Sequence, residues 1–357
     1  MASRLERLRE KLAEIGLDGL LVTSQANLRY LSAFTGTTGV ALITRTAAYF
    51  ITDSRYLIQA QQQVAPRGFV ITENKGSIYD MVNQLLLDCQ LTTLGFEEAY
   101  ISFQTYDELA DLFDVGLVPV AGMIEELREI KEPAELELIE KAIKIADQGY
   151  QHILVTIRPG MTERQVANEL DFYMRKLGAS GTSFETIVAS GVRSALPHGV
   201  ATDKIIQQHE LITVDFGCYY HGYVSDVTRT FAIGRPDTQL QEIYKIVLEA
   251  QQAVVDQLQP GVTGATIDAA ARDRITKAGY GPEFGHDTGH GIGLEIHEGP
   301  YAGPKVQQQF IVGNVETAEP GIYLPGLGGV RIEDDLLVTP TGNQVLNQAP
   351  KHELIVL

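Results

Sequence analysis

The chain has 357 residues, 44% of them hydrophobic, and a formal charge of -18. Its length suits two domains better than a single core, and its acidic balance disfavours nucleic acid as a partner. No run of about 18 apolar residues occurs, so no membrane span is expected.

The opening "MASRLERLREKLAEIGLDGL" predicts a helix over Ser3–Ile15, with Leu5, Leu8, Leu12 and Ile15 at helical spacing among charges. It lacks the uninterrupted apolar stretch of a signal peptide. Only two cysteines, Cys89 and Cys218, are present, which argues against a disulfide framework and for a reducing, cytoplasmic setting. Apolar strands follow at "GLLVT", "VALIT" and "AAYFIT". Helical stretches then alternate with "FVIT", "LGFEE" and "GLVPV". This pattern predicts an α/β domain with a mixed sheet over residues 1–125. A charged helical segment, "MIEELREIKEPAELELIEK", leads into a second domain over 126–357.

The second domain carries an internal repeat. "PGMTERQVANELDFYMRKLGA" begins at Pro159 and "PGVTGATIDAAARDRITKAGY" at Pro260. Thr162 and Gln165 form a capping-box pattern, so the first copy opens a helix. Each copy precedes a Gly/His-rich segment and then strands, which predicts a pseudo-symmetric α+β domain.

Each half also offers acids on strands. "LITVDFGCYYHGYVSDVTRTFAIG" (211–234) reads as a hairpin around "YYHG". A two-residue His221-Gly222 turn sets Asp215 diagonal to Asp226, and a four-residue loop sets them opposite. Either way both carboxylates share a face, about 4.5–8 Å apart. "VETAEPGIYLPGLGGVRIEDDLLVT" reads as two strands around a Gly/Pro loop, with Glu319 before Pro320 and Glu333 after an apolar strand. Like charges so placed need a cation between them. "GHDTGHGIGLEIHEG" (285–299) adds His286, His290 and His297, and the residues alone do not decide which of the three is a ligand. Four carboxylates and one imidazole suit a pair of divalent cations, with oxygen-rich ligation favouring Mn2+, Co2+ or Fe2+ over structural Zn2+. Such a pair can activate one water between them.

"LPHGVATDKII", "VDFGCYYHGYVSDVTRT", "GHGIGLEIHEG", "EPGIY" and "VRIEDDLLVT" resemble, in order, the signature segments of the pita-bread metallopeptidases. The branch is that of Xaa-Pro aminopeptidase (aminopeptidase P) and Xaa-Pro dipeptidase (prolidase). "ITDSRYLIQA" resembles part of that branch's creatinase-type N-terminal domain. The resemblance implies hydrolysis of the bond between an N-terminal residue and a following proline by a metal-bridging water. It implies two divalent ions, Mn2+ first, with Co2+, Fe2+ and Zn2+ as alternatives, and a homodimer acting on small peptides. Asp215 would bind one metal, Asp226 and Glu333 would bridge both, and His290 and Glu319 would complete the set. Glu319 would also take a proton from the water. His198 and His297 would bind substrate and stabilise the oxyanion, and Arg331 would act behind the ligands.

Three residues depart from the pattern. Glu316 stands where an apolar residue is expected, and it alternates away from Glu319. Asp287 stands where small residues are common. Tyr301 replaces the Arg of "HEGPR", a residue suited to gripping a substrate carboxylate, and is placed in the substrate pocket. A metal-free creatinase-like hydrolase and a non-catalytic binding protein are the alternatives on the same fold. Both predict lost carboxylates.

Overall fold

Ser3 starts the first helix by a capping box: its hydroxyl accepts the Glu6 N–H while the Glu6 carboxylate takes the Ser3 N–H. The computed structural model describes residues 3–357. Contacts divide the chain into two compact units, which part between Arg128 and Glu129.

The first unit runs α1 (Arg4–Glu14), β1 (Gly19–Val22), α2 (Gln25–Ser32), β2 (Val40–Thr44), β3 (Ala48–Thr52) and α3 (Leu57–Gln63). It continues through β4 (Val70–Glu73), α4 (Ile78–Asp88), β5 (Thr93–Glu97), α5 (Phe103–Leu112), β6 (Gly116–Val120) and α6 (Met123–Arg128). All six expected strands form one sheet in the order β4-β3-β2-β1-β5-β6. β2 is antiparallel to β1 and β3, and the remaining pairs are parallel, so the sheet is mixed. Leu21, Leu42, Ile51, Leu86 and Leu94 pack one core of this unit. Helix α2 has no counterpart among the predicted elements. Its eight residues make about two turns, too few for an apolar period to show.

The second unit opens with α7 (Pro133–Thr156), whose Pro133 occupies the first turn, where a missing N–H costs nothing. Then come α8 (Glu163–Lys176), β7 (Gly181–Thr182), β8 (Ile187–Ser190), β9 (Glu210–Phe216), β10 (Cys218–Tyr220), β11 (Tyr223–Val224) and β12 (Val227–Ile233). The second half repeats the order: α9 (Thr238–Gln257), α10 (Gly264–Lys277), β13 (Gly289–Gly291), β14 (Glu298–Ala302) and β15 (Val315–Ala318). β16 (Gly321–Leu324), β17 (Gly328–Arg331), β18 (Asp334–Thr339) and β19 (Gly342–Val345) close the chain.

The repeat is physical. Thr162 caps α8 and Thr263 caps α10, each through its side chain. Each threonine also bridges to a later segment, at Ile205 and Gln309. Two cores form. Val166, Leu170, Val214 and Phe231 belong to one, and Val247, Ile267, Val330 and Leu336 to the other, which also takes in Leu211 and Ala232 of the first half. The unit is therefore the expected pseudo-symmetric α+β assembly. Among the described residues no helix is long and apolar enough to cross a membrane.

Two hairpins, one from each half, are each interrupted where an acid sits. β9 and β12 pair antiparallel with Asp215 opposite Thr228. β10 and β11 continue the same register to a two-residue turn at His221-Gly222, where both residues have positive φ. The shorter of the two predicted turns thus forms, and Asp226 lies diagonal to Asp215. Asp226 falls between β11 and β12 rather than on a strand, and its N–H leaves the ladder for the Asp335 carboxylate. In the other half β15–β18 and β16–β17 share one register, which sets Glu319 against Glu333 in the gap between them. The expected two strands are therefore four short ones, broken at both glutamates.

Candidate active site

The hairpin gaps face one cavity of about 440 Å³ in the second unit. Asp215, Asp226, His290, Glu319, Arg331 and Glu333 line it together with His198, His297 and Tyr301, so every site residue expected from the sequence lies on one surface. Potential ligand atoms of Asp226, His290 and Glu333 lie within 4.8 Å of one another. His290 Nε2 is 3.4 Å from Glu319 Oε1 and 3.7 Å from Asp226 Oδ2.

Backbone and hydroxyl contacts fix these groups. His290 Nδ1 lies 3.1 Å from the Gly291 carbonyl, which makes Nδ1 the donor and leaves the Nε2 lone pair facing the acids. Thr228 Oγ1 donates to Glu333 at 2.6 Å, and Thr317 Oγ1 to Glu319 at 3.3 Å. Arg331 is buried and fully engaged. It donates to Asp215 Oδ2 at 2.6 Å, to Thr228 Oγ1 at 3.0 Å and to the Tyr323 hydroxyl at 2.8 Å.

The charges do not balance. Among the described residues Arg331 is the single Lys or Arg side chain lining the cavity, against four carboxylates in its depth. Burial, then Glu333 and Asp215, push the Asp226 carboxyl well above its ordinary range. Burial, Glu319 and Asp215 do the same to Glu333. Glu319 is pushed up to about 8, chiefly by burial, with Arg331 opposing and Asp215 adding. Burial and His297 hold His290 down to about 4. Asp215 Oδ1 and Asp226 Oδ1 are buried with no hydrogen-bond partner.

His297 and His198 are exposed on the cavity wall, with the His297 ring 4.4 Å from that of His290 at 69°. His286 is hydrogen-bonded on both nitrogens, to the Tyr323 hydroxyl and the Asp287 carbonyl, and burial holds it near 4. It lines the cavity as well. Glu316, by contrast, is 0% exposed and outside the cavity. Sequence reasoning missed Tyr323, Thr228 and Thr317 as supports. Thr228 meets Arg331 and Glu333 from more than 100 residues away, Tyr323 joins His286 and Arg331 from separate strands and loops, and Thr317 reaches Glu319 only where the strand is broken.

The chain matches the model of metallopeptidase family M24 over residues 137–340. The chain belongs to this family. Its first unit matches the Creatinase/Prolidase N-terminal domain over residues 4–130. An Xaa-Pro dipeptidase of Pyrococcus furiosus is 37% identical, over 99% of this chain and 100% of its own. The structure of an Xaa-Pro dipeptidase from Bacillus anthracis is 48% identical with a TM-score of 0.97, covering 99% of both chains. An X-Pro aminopeptidase from Thermotoga maritima gives 38% and 0.91, covering 98% of this chain and 99% of that one. The second unit thus has the pita-bread fold. M24 membership implies divalent metal ions, and the residues fit them: two orphaned carboxylate oxygens and an unprotonated imidazole nitrogen converge where excess negative charge lacks a counter-ion.

Proposed function

We propose that this M24 peptidase hydrolyses the bond between an N-terminal residue and a following proline, with two divalent cations held by Asp215, Asp226, His290, Glu319 and Glu333. The observation that carries the reading is the set of four carboxylates at two opposed hairpin gaps, left without enough positive charge. The names of the relatives supply the proline. Oxygen-rich ligation with one imidazole favours Mn2+.

When bound, such a pair supplies Lewis acidity and a nucleophilic water at neutral pH. The chain's residues do the rest. Glu319 takes the proton of the attacking water and returns it to the departing proline nitrogen. His198 and His297 donate to the carbonyl oxygen as it becomes an oxyanion. Arg331 pins Asp215 from behind. Proline has a fixed φ and no amide N–H, so the apolar wall of Phe184, Ile187, Pro197, Val200 and Ile296 can select it by shape. The same reading includes a homodimer in a cytoplasmic setting, in keeping with two free cysteines.

Peptide length is decided at Tyr301, which is 43% exposed on the cavity wall opposite His290. A dipeptidase must hold the free carboxylate of its proline, and Arg does so through a bidentate pair. Tyr offers one neutral hydroxyl, and Arg331 is already committed. Peptides longer than two residues are therefore cleaved at least as well as dipeptides. One assay series tests all of this with Mn2+ present: Ala-Pro, Ala-Pro-Gly and Ala-Gly-Gly, products separated by chromatography. Ala-Pro-Gly is expected to lead, and Asp226→Asn to lose bound metal and nearly all turnover. Equal rates on Ala-Pro-Gly and Ala-Gly-Gly would remove the proline claim, and full activity after exhaustive chelation the metal claim.

A further inference from the structure

Two carboxylates on the cavity wall play no part in the chemistry above. Glu185 precedes β8, and Asp287 lies between His286 and β13. Both line the cavity and both are exposed. Neither side chain has a hydrogen bond or ion pair among the described residues. Arg272 feels the charge of Asp287, but Asp268 holds Arg272 at 2.6 and 2.7 Å, and its other donor contacts go to the Phe284 and His286 carbonyls. Arg164, the cation that senses Glu185, is likewise paired with Asp203. Asp287 is also placed deliberately. Its carboxylate lies over buried Gly303, where a Cβ would stand 2.7 Å from both carboxylate oxygens. A glycine there leaves room for the acid.

We propose that Glu185 and Asp287 select peptides that carry a cationic side chain directly after the proline, Xaa-Pro-Lys or Xaa-Pro-Arg. This rests on the Xaa-Pro reading and narrows it to a substrate class. The four deep acids lie at the scissile bond, so the chain beyond the proline leads toward the exposed wall. A carboxylate ending there meets two negative charges, and among the described residues the one Lys or Arg lining the cavity, Arg331, is already held by Asp215, Thr228 and Tyr323. A lysine or arginine side chain meets two acids without an ion pair on one wall of a cleft, where charges of one sign attract an opposite charge. Charge selection of this kind weakens with salt.

The test uses full-length enzyme with Mn2+ and three amidated tripeptides, Ala-Pro-Lys, Ala-Pro-Gln and Ala-Pro-Glu, so that only the third side chain varies. At low ionic strength kcat/KM should fall in the order Lys, Gln, Glu, with Lys at least about fivefold above Glu. The ratio should shrink in 0.5 M NaCl, a concentration at which the Debye length is well under about 8 Å. The double variant Glu185→Gln/Asp287→Asn, its folding checked by circular dichroism and its metal content measured, should bring the ratio close to one. A wild-type ratio of one or below overturns the proposal, as does a ratio that survives in the folded double variant. If none of the three is cleaved while Ala-Pro is, the length reading and this proposal fail and the Xaa-Pro reading stands; if Ala-Pro is not cleaved either, the Xaa-Pro reading itself fails. If Ala-Pro-Gln is cleaved and the ratio is flat, only the charge selection does.

Discussion

At the scale of single residues, His297 and Glu316 make opposite cases. His297 is exposed on the wall beside His290 and makes none of the short contacts to the acids that His290 makes. Its replacement by Ala should cut kcat by about 10²–10³-fold, the worth of one good oxyanion donor, with bound metal near wild type by elemental analysis. Loss of a full metal equivalent would instead make it a ligand. Glu316 is buried with both oxygens unpartnered, and burial and Glu319 raise its carboxyl well above 4.5. Because the folded value exceeds the unfolded one, the native state gains relative stability below about 4.5 and loses it as pH rises. Glu316→Met should therefore stabilise the protein at pH 8 by about 1–3 kcal/mol, the cost of an unsatisfied buried polar group. The gap to wild type should narrow toward pH 4.5 in thermal melts. That the four acids share one face is legible from their strand contexts. That His290 rather than His286 stands beside them is not, because both lie in one Gly-rich stretch and their separation depends on which ring faces Asp226 and which faces Tyr323.

At the scale of elements, both hairpins were legible as hairpins, and the breaks in them were not. Pro320 has no N–H for a ladder and explains one side of one gap. The Asp226 gap has a different cause: its N–H is taken by Asp335, more than 100 residues on, which no local pattern announces. The gap also needs a close approach of backbone. A Cβ on Gly217 would collide with the Ser225 carbonyl oxygen and the Ser183 hydroxyl. Gly217→Ala should therefore splay the strands on either side of Asp215 and Asp226. It should cost at least about 2 kcal/mol in denaturant unfolding, within the range for overpacking, and weaken metal binding in the same protein. Unchanged metal affinity would show that the gap tolerates strain.

At the scale of the whole molecule, the repeat was legible because its two copies begin alike at Pro159 and Pro260, and the caps at Thr162 and Thr263 keep their helices in phase. The make-up of the two cores was not, since apolar positions in the sequence do not say which core they join, and Leu211 and Ala232 of the first half pack in the core of the second. Metal binding to the folded state alone stabilises by mass action, about 4 kcal/mol at a thousandfold excess over Kd. Chelation should therefore lower the calorimetric transition of the Glu129–Leu357 unit and leave that of the preceding unit in place. A shift of both transitions together would mean that the units melt as one.

The opposed hairpin gaps have a mechanical consequence. Asp215 and Asp226 come from one half of the repeat, while His290, Glu319 and Glu333 come from the other. Cations held by both sets, as proposed, would act as a rivet through a seam. The metal-loaded protein should therefore resist shear along that seam more than the stripped one, at unchanged secondary structure.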